Sequence, residues 1–346
     1  MKAVQFTSHG GPEVLTYEPY PHLSVGDMEA RIDIKAAATN HLDLWTRRGL
    51  PGVDLELPHI PGSDMAGIIS EVGSSVTGFS VGDRVALLAG ITETRETQYP
   101  DGDPTLTDSF EIIGEHRRGV HAEETVVPAS NLIKVPHSVS WDVAGSAALV
   151  FQTAWRMIVE KGSLRPGETV LIHGASGGVG HAAVQIADML GATVLATGST
   201  QHKLAYAAEC GADTTINYES EEFRPRVFDV TDGDGVDMVI DHVGAATYTD
   251  SLKCLRKGGR FVTCGATTGG DPPAGLNRIF WNQLKIIGST MAAPAQAREV
   301  LSHVWDGTLT PRIRARLPMS EIAEAHRLLN DREGFGKVVV IPDSEY

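Results

Sequence analysis

Cysteine is scarce in this chain of 346 residues: Cys210, Cys254 and Cys264 are the only three, and they are widely spaced. Three scattered thiols make neither a disulfide framework nor a CxxC metal site, so a reducing cytoplasm is the expected compartment. Long apolar runs are missing too. No stretch approaches the roughly 18–20 apolar residues that cross a bilayer, and MKAVQFTSHGG at the start lacks the apolar segment of a secretory signal, so no membrane association is expected. Positive charge is in short supply: 29 Lys and Arg stand against 44 Asp and Glu, a net charge of −15. Nucleic acid and anionic lipid need basic patches, which leaves a small molecule as the expected partner.

What is present is globular: 42% of residues are apolar and 21% charged. The length exceeds what one hydrophobic core usually serves, so two domains are expected. Residues 1–128 read as short β-rich runs cut by Gly and Pro, among them MEARIDIKAAA, MAGIISEVGSSV and DRVALLAG. Residues 129–295 alternate apolar strands with helical patterns: TVLIHGA before HAAVQIADMLGA, TVLATGS before KLAYAAECGA, VDMVIDHVG before YTDSLKCLRKGG. Such alternation implies right-handed βαβ units and a parallel sheet. Residues 296–346 are too few for a core of their own and are assigned as the return of the chain to the first domain. The polar stretch 91–119 is expected to form a surface lobe.

HGASGGVG follows the strand TVLI and opens an apolar-periodic helix, the setting in which glycines signify a dinucleotide site. Ser176, Gly177, Gly178, Val179 and Gly180 would let the backbone approach a pyrophosphate, and the helix start offers it unpaired N–H groups. A carboxylate about 20 residues further on would bind the ribose hydroxyls of NAD and repel a 2′-phosphate. Here the second strand ends ATGSTQHK, with no acid. Ser199 and Lys203 offer a hydroxyl and a positive charge, and Tyr218 on the next strand end offers a ring for adenine, so the expected cofactor is NADPH.

Nearly the whole chain resembles the medium-chain dehydrogenase/reductase superfamily, through GGPEVL, AAATNHLDLWTRRG, PHIPGSDMAGIISEVGSSVTGFSVGDRV, FQTAW, LRPGETVLIHGASGGVG, KGGRFVTCGAT and GKVVV. The resemblance implies an α/β fold in which a doubly wound parallel Rossmann sheet is inserted in a GroES-like β-rich catalytic domain. It also implies a test for zinc. In zinc members a catalytic Cys precedes a short helix, Gly-His-Glu follows the next strand, and a second Cys lies four residues before a Thr. Those places are held here by Asn40, by Gly62-Ser63-Asp64 and by Leu149 before Thr153. A catalytic zinc needs three protein ligands, and Asp64 is the one good ligand left. Leu42 stands where a hydroxyl relays the alcohol proton, and no metal site is expected.

The resemblance therefore points to a zinc-free quinone oxidoreductase-like member, in which hydride passes from NADPH to a quinone or an α,β-unsaturated carbonyl. An enoyl-CoA reductase, a zinc-type alcohol dehydrogenase and a non-catalytic NADPH-binding protein are the alternatives. Asn40 and Asp43 reproduce an N-x-x-D arrangement: Asn40 is expected to position the nicotinamide or the substrate carbonyl, and Asp43 to orient a water or simply to close its helix. By the same resemblance His41 faces the pyrophosphate and Thr153 the nicotinamide, while Val243, Gly244, Gly265, Ala266, Thr267 and Lys337 line the cofactor site. LKIIGSTM is expected at a sheet edge, where similar proteins form a homodimer or a homotetramer.

Overall fold

Strand Glu29–Ala38 shows how the β-rich part is built. Ala30, Ile32 and Ile34 point inward while Arg31, Asp33 and Lys35 point out, the period of two that a half-buried strand requires. From Ala36 to Ala38 the alternation stops and every residue is buried, because small side chains here lie within the sheet's core. The computed structural model describes residues 1–91, 103–331 and 334–346. They form two units, Met1–Leu149 with Ala293–Tyr346, and Val150–Ala292.

The first unit carries a seven-stranded sheet. Its order is Ile313–Pro318, Lys337–Ile341, Glu29–Ala38, Asp64–Val72, Arg84–Leu87 and Leu132–Lys134, with Glu124–Pro128 paired to Glu29–Ala38. Both parts of the chain are thus woven together: Val339 and Val340 pair antiparallel with Ala38 and Ala37. The first unit runs to Leu149 rather than to residue 128 as expected from the strand pattern. Leu132–Lys134 pairs with Arg84–Leu87, and Gly145 lies so close to Ala36 that a side chain would collide with its carbonyl.

The second unit is a six-stranded parallel sheet in the order Thr214–Asn217, Thr193–Gly198, Thr169–Ile172, Val236–Asp241, Leu255–Thr263, Lys285–Gly288. In chain order this is 3-2-1-4-5-6, the doubly wound dinucleotide-binding arrangement. The central strands are buried along their length, as parallel strands are when helices cover them. Lys285–Gly288, from LKIIGSTM, is an edge strand.

Of the polar stretch, residues 92–102 lie outside the described residues. The remainder is not merely surface: Ile112 and Ile113 are buried, Glu111–Ile112 pairs with Gly90–Ile91, and Gly114 and Gly119 pack against Gly62. Among the described residues no helix is long and apolar enough to cross a membrane.

Candidate active site

Three strand ends meet in the first unit. Asp64 opens the strand Asp64–Val72 opposite Ala38, Asn40 follows Ala38 by two residues, and Lys337 opens the strand that pairs with Ala37 and Ala38. Sheet register therefore brings together side chains that lie as much as 297 residues apart. Asp64 Oδ2 accepts from Lys337 Nζ at 3.0 Å and from Asn40 Nδ2 at 3.0 Å, and Oδ1 accepts from the Leu149 N–H at 2.8 Å. Lys337 also donates to Asn40 Oδ1. Asp64 is 0% exposed and Lys337 3%, so each charge depends on the other for compensation.

The donor set does not fit zinc. Asp64 already accepts from three N–H donors, one of them the Lys337 ammonium, and Leu149 contributes only its backbone. Ser63 Oγ donates to the Ile113 carbonyl at 2.7 Å. His59 packs its ring against Phe6 with centroids 5.4 Å apart, and its Nε2 lies 3.2 Å from the Gly114 carbonyl oxygen. Among the described residues no three His, Cys, Asp or Glu are grouped to hold a metal ion.

Asn40 and Asp43, expected as catalytic, are both turned inward. The Asn40 amide is oriented by Lys337 on its oxygen and Asp64 on its nitrogen. Asp43 closes the start of helix His41–Arg48, accepting the Asn40 N–H at 2.7 Å. Burial pushes the Asp43 carboxyl up to about 7, against the pull of the Asn40 N–H and the Lys337 charge. His41 is half-buried beside Trp45, one turn on. Sequence reasoning missed His121. It is fully buried against Gly62, which has φ +105° and no room for a Cβ over the imidazole. Burial lowers His121 to about 4, so the ring is neutral.

In the second unit the glycine turn has the shape of an anion cradle. Gly174 takes φ +61°, the Gly177 N–H donates to Gly174 O at 3.0 Å, and helix Gly178–Met189 begins with no side chain capping it. A Cβ on Gly180 would sit 2.8 Å from Ala175 Cα, so this glycine lets helix and strand meet. Ser176, Gly177, Gly178 and Val179 are half-buried at the turn. An uncapped helix start behind a glycine turn fits a dinucleotide pyrophosphate. At the second strand end Lys203 is buried and donates to Ser199 Oγ at 2.9 Å, while Thr200 caps the following helix. Tyr218 is 49% exposed.

The other expected cofactor residues are placed less simply. The Val243 and Gly244 N–H groups both donate to Asp241 Oδ1, at 2.7 and 2.8 Å, so a ligand here meets their surface and not their donors. Gly265 O accepts from Thr263 Oγ1 at 3.0 Å, the Thr267 N–H donates to His242 O at 3.3 Å, and Ala266 is exposed between them. Thr153 is buried in helix Trp141–Trp155. Lys337, also expected to line the cofactor site, has its ammonium on Asp64 and Asn40. The sequence reading passed over His173, which lies beneath the turn with Nδ1 3.1 Å from Thr197 Oγ1 and Nε2 2.9 Å from Ser251 Oγ. Burial lowers it to about 4.

Comparison with known proteins agrees with this division. Residues 26–137 match the alcohol dehydrogenase GroES-like domain, and residues 178–306 match the zinc-binding dehydrogenase family. A quinone oxidoreductase of Pseudomonas aeruginosa is 32% identical over 99% of both chains. A 2-haloacrylate reductase of Burkholderia sp is 31% identical over 97% of both. A solved structure described as an NAD-dependent alcohol dehydrogenase superposes with a TM-score of 0.95 at 40% identity, covering 99% of each chain. The chain belongs to the medium-chain dehydrogenase/reductase superfamily, as a quinone oxidoreductase-like oxidoreductase.

Proposed function

We propose that the chain is a zinc-independent, NADPH-dependent reductase of quinones or α,β-unsaturated carbonyl compounds. The observation that carries this reading is the engaged Asp64: of the residues standing where the resemblance places zinc ligands, Asn40 and Asp64 bond each other and Lys337, Ser63 bonds the Ile113 carbonyl, and Leu149 offers only its backbone. Without a metal, an alcohol has nothing to lower the affinity of its oxygen for the proton. A conjugated carbonyl needs only donors that accept charge as it spreads onto oxygen. Quinones and haloacrylates, named for two relatives, belong to this class of acceptor.

Bound NADPH supplies the hydride. The turn Gly177–Gly180 would hold its pyrophosphate, Lys203 and Ser199 its 2′-phosphate, and Tyr218 its adenine. The absence of a carboxylate after Gly198 supports the phosphorylated cofactor. A second reading, NAD-dependent alcohol oxidation, is favoured by the 40% identical structure. Loss of NADPH absorbance across quinones, enones and enoyl-CoA esters, set beside NAD reduction with primary and secondary alcohols, separates the readings. Turnover confined to alcohols, or dependent on added zinc, would overturn the first.

A second copy of the chain is the proposed partner at the edge strand. Beside Lys285–Gly288, helix Leu276–Asn282 leaves Leu276 69%, Phe280 65% and Trp281 73% exposed, with Ile286 41% exposed on the strand itself. An apolar patch next to unpaired backbone favours strand pairing between copies. Ile286→Glu with Trp281→Glu should yield monomers in sedimentation velocity; an unchanged dimer or tetramer would move the interface elsewhere.

A further inference from the structure

In the unit Val150–Ala292 the strand order reverses between Thr169–Ile172 and Val236–Asp241, its first and fourth strands, which pair directly. A dinucleotide crosses such a sheet at that reversal, outside the carboxyl ends of the strands, with one mononucleotide over each half. Ser199, Lys203 and Tyr218 follow the second and third strands, so the adenosine side belongs to the first half and the nicotinamide side to the half that the fourth strand opens. His242 directly follows that fourth strand. Its Nε2 lies 2.9 Å from where a Cβ on Gly174 would stand and 3.9 Å from one on Gly177, so the imidazole rests against the glycine turn. Glycine at 174 both takes φ +61° and leaves the ring its place.

The half-buried imidazole makes no hydrogen bond among the described residues, and its Nδ1 is enclosed without a partner. Asp241, the residue before it, is taken up by the Val243 and Gly244 N–H groups and by Thr247 Oγ1. Burial holds the ring below its ordinary value although the Asp241 charge pulls it up, so the imidazole is neutral and carries one N–H. An enclosed N–H without an acceptor is rarer than an enclosed acceptor without a donor, which puts the proton on Nε2, at the turn. Val243 and Gly244 keep their N–H groups on Asp241, so neither serves a ligand at this strand end.

We propose that His242 binds the cofactor's diphosphate on its nicotinamide side, the Nε2–H donating to an oxygen of that phosphate. The proposal rests on the dinucleotide reading above and adds a ligand to it. The diphosphate is then held from both sides of the strand reversal, by the uncapped start of helix Gly178–Met189 on one and by a side chain on the other. A hydrogen bond to an ionised oxygen is stronger than one between neutral groups, so a single imidazole donor has a measurable share in affinity. Ligands that carry the second phosphate should feel it, and ligands that end at the first should not.

Calorimetric titration of wild type, His242→Phe and His242→Gln with 2′,5′-ADP, 2′-phospho-ADP-ribose and NADPH tests this, each variant being checked for folding by thermal melting. The three ligands share the adenosine end; the second adds the nicotinamide-side phosphate and ribose, and the third adds the nicotinamide. His242→Phe keeps a ring without a donor and should weaken 2′-phospho-ADP-ribose and NADPH alike, on the order of tenfold, the scale of one charge-assisted hydrogen bond. Its affinity for 2′,5′-ADP should stay within about twofold of wild type, because that ligand ends short of His242. His242→Gln, which returns an N–H donor, should recover most of the loss, and His242→Ala stands in if the Phe ring unfolds the turn. A folded donor-free variant that binds 2′-phospho-ADP-ribose within about twofold of wild type would overturn the proposal. Equal weakening of all three ligands, a loss confined to NADPH, or a loss that Gln does not recover would overturn it too, assigning His242 to the turn, to the nicotinamide ring or to packing. Tighter wild-type binding of NADH than NADPH would instead overturn the cofactor reading above, and AMP, ADP-ribose and NADH would then decide for or against His242 in the same way. Wild type that binds neither dinucleotide would overturn both.

Discussion

In the unit built from both chain ends the polar centre is ionic: Asp64 and Lys337 are buried against each other, Asn40 bonds both, and the Leu149 N–H donates to Asp64. In the unit Val150–Ala292 the imidazole of His173, between the hydroxyls of Thr197 and Ser251, is a neutral centre, and the buried Asp241 carboxylate takes backbone and hydroxyl donors rather than a cation. Helix starts differ too, and within the second unit as well as between the units. Asp43 closes helix His41–Arg48 and Asp241 holds the N–H groups ahead of helix Ala245–Cys254, whereas helix Gly178–Met189 has no side chain over its N-terminus. An uncapped helix start presents partial positive charge to whatever approaches. Helices His41–Arg48 and Ala245–Cys254 thus carry a carboxylate at their starts, and helix Gly178–Met189 leaves its start uncovered where an anion is expected to bind.

The largest effect should come from breaking the ionic centre. Asp64→Leu leaves the Lys337 ammonium buried and unpaired, which costs about 3–5 kcal/mol. His173→Leu in the neutral centre removes a partner from two hydroxyls and should cost about 1–3 kcal/mol. Urea unfolding followed by hydrogen exchange in each unit reads both, and equal losses would erase the distinction between the centres. The glycine turn divides in the same way. Gly180→Ala places a methyl 2.8 Å from Ala175 Cα and should cost about 1–3 kcal/mol as well as NADPH binding. Gly177→Ala, at φ −76° and with no atom nearer than 3.4 Å, should keep the fold within about 1 kcal/mol. A loss of NADPH affinity in that variant would report the approach of the pyrophosphate alone, measured by cofactor fluorescence.

The architecture around these centres was legible in the sequence more than the centres themselves, for reasons of distance along the chain. The alternation of parallel strands with helices follows from their periods, and the glycine turn from its place between TVLI and AAVQIADML, both local signals. That Asn40, Ser63, Asp64 and Leu149 stand where zinc members carry ligands was legible because the resemblance supplies the register. The partner of Asp64 was not. Lys337 lies 273 residues after Asp64, and only the pairing of Lys337–Ile341 with Glu29–Ala38 brings the two together. His121 was missed because nothing in GVHAEE distinguishes a buried imidazole from a surface one. The nearest signal was Gly62, whose positive φ and missing side chain leave the imidazole its space.

A smaller effect concerns the charge at the second strand end. Lys203→Ala should weaken NADPH on the order of tenfold, the scale of one charge-assisted hydrogen bond, and leave NADH unchanged. Equal weakening of both cofactors in parallel titrations would assign Lys203 to packing around Ser199 rather than to the 2′-phosphate.

The smallest effect is a slope, and it separates two buried groups on one side of the comparison. Burial raises Asp43 from 3.8 to about 7, so its contribution to stability is fully present below about 4 and is lost as the pH rises through 7. Burial lowers His121 from 6.5 to about 4, so its contribution is present above 6.5 and is lost as the pH falls through 4. Between about 4 and 6.5 the two work against each other, and the wild-type dependence on pH is flattened. Asp43→Asn keeps an oxygen to accept the Asn40 N–H and removes the titration. In that variant stability should climb more steeply than in wild type from pH 4 to 6.5, and should no longer decline from 6.5 to 7.5. Urea midpoints taken at half-unit steps give the difference between the two curves, in which the remaining buried histidines cancel. Parallel curves would mean that Asp43 is ionised in the fold across this range, and that the Asn40 N–H and the Lys337 charge outweigh its burial.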